Sequence, residues 1–199
     1  MTSSCFVLGL TGSIGMGKST TAQMFRDLSV PVWDADKTVE ALYSKEGLAV
    51  LALQTLDASY VRNGAVDRAA IKQAIATNPE ALKNIEAVVH PLVRENREAF
   101  LELHADSKLV VLDIPLLFET NTQVGVNAVV VVTAPADVQR QRVLERDTMT
   151  PEVFEAILAK QLPDDEKRKR ADYIIETLTL EGTKADVTSL VELLRAKHA

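Results

Sequence analysis

The sequence predicts an α/β domain built on a parallel sheet. Three observations predict it. Short runs rich in β-branched residues recur at 6–10, 30–33, 109–114, 128–133 and 173–175. Each is apolar almost without alternation, as expected of strands covered by helices on both faces. Helical stretches separate most of these runs, and a strand-helix alternation of that kind selects the α/β class.

Taken in order, the run at 6–10 leads through a glycine-rich loop into a helix. That helix starts near Lys18, runs to about Leu28, and places Met24, Phe25 and Leu28 on one face. The second run, 30–33, follows. The long interval from about Thr38 to Asp106 shows helix starts and no convincing strand. Asn63-Gly64 supplies a turn, and Asp67 can cap a helix carrying Ile71 and Ile75. Asn78-Pro79-Glu80 opens another helix, with Asn as N-cap and Pro at the first helical position.

After the strands 109–114 and 128–133, the interval from Pro135 to Arg170 also reads as helical. Thr150-Pro151-Glu152 marks a fresh start inside it, giving two helices joined at a corner over 147–150, the outline of a lid. The expected division is a core of 1–37, 107–134 and 171–199, an insertion over 38–106 and a lid over 135–170.

Composition narrows the function. The chain has 199 residues, 47% hydrophobic and 25% charged, with a formal net charge of -6. That balance is globular, and a net negative charge argues against a nucleic-acid platform, which depends on Lys and Arg. The single cysteine, Cys5, forms no internal disulfide and no cysteine metal cluster, and three scattered histidines add no zinc-like spacing. The opening Met-Thr-Ser-Ser-Cys lacks a basic leader region, and the longest apolar stretch, 128–134, is far short of the roughly 20 residues that span a bilayer. A cytoplasmic protein without membrane or nucleic-acid partners is expected, working as a monomer.

Gly12-Ser13-Ile14-Gly15-Met16-Gly17-Lys18-Ser19 matches the Gly-x-x-x-x-Gly-Lys-Ser phosphate loop, with Thr20 next to it. Glycines let backbone N–H groups encircle phosphate oxygens. The loop follows a strand and opens a helix, so the positive end of the helix dipole also faces the anion. On this reading Lys18 reaches the β- and γ-phosphates of ATP, and the Ser19 hydroxyl ligates Mg²⁺.

The strand at 30–33 runs out into Asp34-Ala35-Asp36. A kinase acting on an alcohol needs a carboxylate to accept or orient the hydroxyl proton. The pair reads equally as a turn or helix cap. The run 109–113 resembles a Walker B strand whose terminal Asp113 joins the Mg²⁺ shell, and it reads at least as well as a turn carboxylate.

In the lid, Arg140, Arg142 and Arg146 are read on one helix, with Arg142 and Arg146 one turn apart on one face. Such arginines can stabilise a transferring phosphoryl group; the alternative is a solvated face paired to Glu145 and Asp147. Lys167-Arg168-Lys169-Arg170 is a weaker candidate, since Asp164-Asp165-Glu166 can neutralise it. On position alone, His90 in the helical His90-Pro91 stretch reads as structural.

Taken together these motifs resemble the dephospho-CoA kinase family of P-loop kinases. The marks are Leu10-Thr11-Gly12 into the phosphate loop, Asp34-Ala35-Asp36, Asn63-Gly64, Asp67-Arg68, His90-Pro91, Pro115-Leu116-Leu117-Phe118-Glu119, Gln161 and Ala171-Asp172. The resemblance implies a P-loop NTPase three-layer sandwich with five parallel strands, a helical CoA-side insertion and a lid. It implies phosphorylation of the ribose 3′-hydroxyl of dephospho-CoA by ATP with Mg²⁺, the last step of coenzyme A synthesis. By position it makes Asp36 the base or hydroxyl-orienting group, with Asp34 beside it, and Arg142 and Arg146 the lid residues. It places His90, Pro115 and Leu116 on the substrate side. The chain departs from the family at Glu176-Thr177-Leu178, in the loop expected near the adenine.

A nucleotide-dependent switch is the rival class. It would need Asn-Lys-x-Asp to read guanine and Asp-x-x-Gly at its switch, and the sequence contains neither.

Overall fold

A computed structural model of the chain describes residues 5–197. Met1–Ser4, on which the expectation of no leader rests, lie outside that range.

The first strand, β1 (Phe6–Thr11), passes through the glycine-rich loop into α1 (Lys18–Asp27). The helix ends one residue short of its expected limit, with Leu28 as its C-cap, and Ser29 at φ 56 turns the chain. The next strand, β2 (Val32–Asp34), starts two residues later than the sequence suggests. Val30 N–H is drawn back to Phe25 C=O, and Pro31 has no N–H for a ladder, although its carbonyl accepts from Val111 N–H at 2.9 Å.

Four helices follow: α2 (Ala35–Tyr43), α3 (Leu48–Leu56), α4 (Arg68–Thr77) and α5 (Pro79–Leu103). Between α3 and α4 lies a hairpin of β3 (Val61–Arg62) and β4 (Ala65–Val66), which corrects the expectation of an interval without strands. Two-residue strands carry no periodic signal. What builds the hairpin is Asn63-Gly64 with both φ angles positive, 54 and 78, the combination a tight primed turn requires. Asp67 closes it twice: its Oδ1 accepts from the N–H groups of Ala69 and Ala70, capping α4, and its Oδ2 lies 2.9 Å from Arg62 Nε. Asn78 accepts from Glu80 N–H at 3.0 Å where α5 begins, and that helix continues through Pro91.

The chain then returns to the sheet with β5 (Leu109–Asp113) and β6 (Ala128–Thr133). The interval read as a two-helix lid holds three helices, α6 (Ala136–Leu144), α7 (Pro151–Leu158) and α8 (Asp164–Lys169). Thr150 caps α7 as expected, its Oγ1 accepting from Val153 N–H at 3.3 Å. The last elements are β7 (Tyr173–Glu176) and α9 (Leu180–Lys197).

The five strands form one parallel sheet in the order β2-β5-β1-β6-β7. Phe6 pairs with Leu109, Leu8 with Ala128, and Val130 with Tyr173. Every residue of β5 and β6 is buried, which explains their unbroken apolarity. Helices α1 and α9 pack together over the sheet through Ala22, Phe25, Val187 and Leu194, all wholly buried. Each fully buried Leu, Val or Phe contributes about 1.5–3 kcal/mol relative to exposure.

The chain divides into two compact units, one running to Trp33 and resuming at His104, the other Asp34–Leu103. The second has its own core, in which Leu42, Leu53, Tyr60, Ile71, Ile85 and Val89 pack together. Among the described residues no helix is long and apolar enough to cross a membrane.

Candidate active site

The site grows from the loop between β1 and α1. Gly12 is buried at the strand end, Gly15 has φ 79 and Gly17 φ 84, a region that L side chains rarely adopt. Packing removes any remaining tolerance. A Cβ on Gly15 would lie 2.4 Å from Val143 Cγ2, and one on Gly17 would lie 3.0 Å from Thr177 Oγ1. Met16 N–H donates to Ser13 C=O at 3.1 Å, and the Met16 side chain turns inward, where its Sδ accepts from Ala134 N–H at 3.0 Å. No side chain caps α1 at Gly17, so the N–H groups of its first turn, through Lys18, Ser19 and Thr20, are open to an anion.

Lys18 crosses to the end of β5, where its Nζ lies 2.6 Å from Asp113 Oδ1. Asp113 is 2% exposed, so this carboxylate is not the solvated turn residue that the sequence left open. The Ser19 hydroxyl is exposed on the next residue of α1. Two protein oxygens suit Mg²⁺, which keeps several waters and takes its remaining ligands from phosphates. No cluster of three or more His, Cys, Asp or Glu able to hold a metal occurs among the described residues.

A cavity of about 270 Å³ opens beside the loop, lined by Gly15, Gly17 and Thr20 on one side and Arg142, Arg146, Thr177, Leu178 and Leu180 on the other. Arg142 does not pair with Glu145. Its Nη1 donates to Thr177 Oγ1 at 3.1 Å and its Nη2 to Thr177 C=O. Thr177 is buried at the end of β7, its N–H bonded to Thr133 C=O at 2.8 Å and its hydroxyl donating to Met16 C=O at 2.9 Å. One threonine thus ties Arg142, the sheet and the phosphate loop together. Arg146 lies two residues beyond α6 rather than on it, since the helix ends at Leu144. Arg140 pairs with Glu155 at 3.3 Å and stacks 6.0 Å from the Phe154 ring, away from the cavity lining.

In the other unit, Asp34 and Asp36 part company. Asp34 is the N-cap of α2, its Oδ1 accepting from Lys37 N–H at 3.0 Å. Asp36 sits exposed in the first helical turn, with no ion-pair or hydrogen-bond partner for its carboxylate among the described residues. His90 is exposed midway along α5.

In the segment 115–119, Pro115 C=O accepts from Thr11 Oγ1 at 3.0 Å and Leu116 is 40% exposed, whereas Leu117 and Phe118 are buried in the core. Glu119 turns towards α8. Its Oε1 lies 2.8 Å from Lys167 Nζ and accepts from Leu162 N–H at 2.8 Å. Burial pushes the Glu119 carboxyl upward, but Lys167 and the Leu162 N–H outweigh it and hold it below the usual glutamate range. Lys167 is wholly buried and pairs with Glu119 instead of the acidic residues just before it, whereas Lys169 does pair with Asp165 and Glu166 as read.

Gln139 emerges only in the structure, because nothing in its local sequence marks a contact 125 residues away, whereas Gln161 was among the marks of the resemblance and Thr177 lay in the departing 176–178 segment, neither read as a contact of the loop. The Ala171-Asp172 mark has a structural basis: Asp172 Oδ2 accepts from Val129 N–H at 2.8 Å and its own N–H returns to Val129 C=O, pinning the start of β7.

Comparison with known proteins follows the same line. Residues 6–180 match the family model described as dephospho-CoA kinase. The chain is 53% identical over 189 residues to the dephospho-CoA kinase of Jannaschia sp. strain CCS1, covering 95% of this chain and 97% of that one. It is 53% identical over 190 residues to the dephospho-CoA kinase of Cereibacter sphaeroides, with 96% of each covered. Among solved structures, TT1252 from Thermus thermophilus superposes with a TM-score of 0.81 at 35% identity, covering 94% of this chain and 96% of that chain. The dephospho-CoA kinase from Campylobacter jejuni shares the fold, with a TM-score of 0.65 at 24% identity over 96% and 98% of the two chains. The chain belongs to the dephospho-CoA kinase family.

Proposed function

We propose that the chain transfers the γ-phosphoryl group of ATP to the ribose 3′-hydroxyl of dephospho-CoA, releasing ADP and coenzyme A. The observation that carries the ATP half is the glycine-rich loop opening on the cavity, with Lys18 held at the end of β5 beside it. Family membership supplies the acceptor.

In this reading the open N–H groups of the loop and of the first turn of α1 hold the β- and γ-phosphates, and Lys18 exchanges Asp113 for phosphate oxygen. Ser19 and Asp113 would hold Mg²⁺, which when bound would offset the charge of the phosphates. Met16 fastens the loop from below, while Gly12, Gly15, Gly17 and Thr20 shape it. Arg142 and Arg146 stabilise the charge spread over the transferring group. Leu178 and Leu180 flank the far end of the cavity, where the adenine fits.

Asp36, rather than Asp34, takes or orients the hydroxyl proton. Asp34 already spends one oxygen on capping α2, whereas the Asp36 carboxylate is exposed. The new bond forms between the ribose 3′-oxygen and the γ-phosphorus, the bond to the β-γ bridging oxygen breaks, and the hydroxyl proton leaves through Asp36 to solvent. His90, Pro115 and Leu116 lie on the acceptor side, the insertion 38–106 receives the CoA portion and 135–170 forms the lid. The working unit is a cytoplasmic monomer, which light scattering on the eluting protein checks. ADP release measured with and without dephospho-CoA tests the function: release should depend on the acceptor, and equal release in both would remove it.

A further inference from the structure

Ile14 of the phosphate loop is gripped through both of its flanking peptides by side chains that take no part in the transfer step above. Ile14 N–H donates to Gln161 Oε1 at 3.1 Å, and Ile14 C=O accepts from Gln139 Nε2 at 2.7 Å. Backbone chemistry fixes which end of each amide faces it, since an N–H needs oxygen and a carbonyl needs a donor. Gln139 lies on α6 and is 6% exposed; Gln161 precedes α8 and is half-buried.

A trans peptide is planar, with its C=O and N–H pointing in opposite directions. Holding Ile14 C=O on Gln139 therefore aims Gly15 N–H the other way, and Gly15 lines the cavity. Holding Ile14 N–H on Gln161 likewise turns Ser13 C=O towards Met16 N–H, which it binds. Gln139 holds the 14–15 peptide, whose rotation Gly15 would otherwise permit because it tolerates either sign of φ, and Gln161 holds the 13–14 peptide before it. Gln161 is itself held in place: the N–H of the next residue, Leu162, is bound by Glu119, and that carboxylate is paired with buried Lys167.

We propose that Gln139 and Gln161 are positioning residues for phosphoryl transfer. They lock the two peptides that flank Ile14, Gln139 so that Gly15 N–H faces the triphosphate and Gln161 so that Ser13 C=O stays on Met16 N–H, and they join the shape of the loop to both ends of the 139–161 segment. The inference rests on the loop being the ATP cradle.

Calorimetric titration of the full chain with MgATP, without acceptor, tests it. Loss of one such hydrogen bond weakens MgATP by about fivefold to tenfold in Gln161→Ala and in Gln139→Ala. Gln161→Glu keeps an acceptor for Ile14 N–H and retains affinity within about threefold of the parent. Gln139→Glu sets a carboxylate against the Ile14 carbonyl and is the weakest of the four. Since both glutamates add the same charge beside the same residue, their difference reports hydrogen-bond direction and not charge or fold. The half-buried Gln161 pair decides the matter where a Gln139 variant fails to fold. Affinity within twofold of the parent in Gln161→Ala, or Gln161→Glu as weak as Gln161→Ala, would overturn the proposal. A parent chain that binds MgATP but leaves dephospho-CoA untouched would remove the acceptor reading and leave this one standing.

Discussion

Lys18 Nζ and Asp113 Oδ1 stand 2.6 Å apart at the mouth of the sheet, the lysine 15% and the aspartate 2% exposed. The contact joins the start of α1 to the end of β5 and keeps a buried carboxylate from being left without its cation.

Removing one partner of such a pair is costly, because the other charge stays buried. Lys18→Met is expected to lower stability in urea unfolding by roughly 3 kcal/mol, and turnover by about 10²–10³ through loss of phosphate charge stabilisation. A variant of parental stability and turnover would remove the pair from both roles.

The two aspartates of the Asp-x-Asp motif should separate cleanly. Asp36→Ala is expected to bind MgATP as the parent does, while turnover on dephospho-CoA falls by about 10²–10⁴, the range for loss of a general base. Asp34→Ala loses the α2 cap, and its unfolding free energy should drop by about 1 kcal/mol. Steady-state kinetics beside thermal unfolding of both variants makes the comparison; parental turnover in Asp36→Ala would eliminate it as the base.

Arg142 rests on Thr177 in this structure. If it leaves that contact for the transferring phosphoryl group, Arg142→Ala depresses kcat by about 10²-fold and MgATP affinity much less. An unchanged kcat would contradict the role.

How much of this was legible in the sequence follows from the range of each interaction. Local chemistry was readable: the phosphate loop, Asp67 and Thr150 as caps, Asn78-Pro79 as a helix start, and strands so buried that their composition announces them. The parallel sheet followed from that burial, but not its order, with β1 in the centre. Long-range contacts left no trace. Lys167 sits in a basic run that the acidic residues before it could neutralise, yet it is wholly buried and paired with Glu119, 48 positions earlier. Arg146 fits a helical spacing, yet α6 ends two residues before it. Asp34 read equally as a cleft residue or a helix cap, a choice the sequence could not make, and its carboxylate caps the helix that starts beside it.

Glu119 also sets a pH dependence. Its carboxyl titrates below the ordinary value of 4.5 in the folded chain, so its contribution to stability is fully present above that value. The contribution fades as pH falls through the folded pKa, because the unfolded chain then binds the proton more readily. Urea unfolding from pH 6 down to about pH 3 should show a steeper loss in the parent than in Glu119→Gln. Parallel curves would show that the Lys167 pair carries no pH-linked stability.

The reaction makes one new product from the acceptor. Dephospho-CoA incubated with ATP, Mg²⁺ and the protein, then examined by mass spectrometry, should convert to a species heavier by one phosphate, with an equal amount of ADP. Dephospho-CoA recovered at its original mass, with the chain folded and MgATP bound, would contradict it.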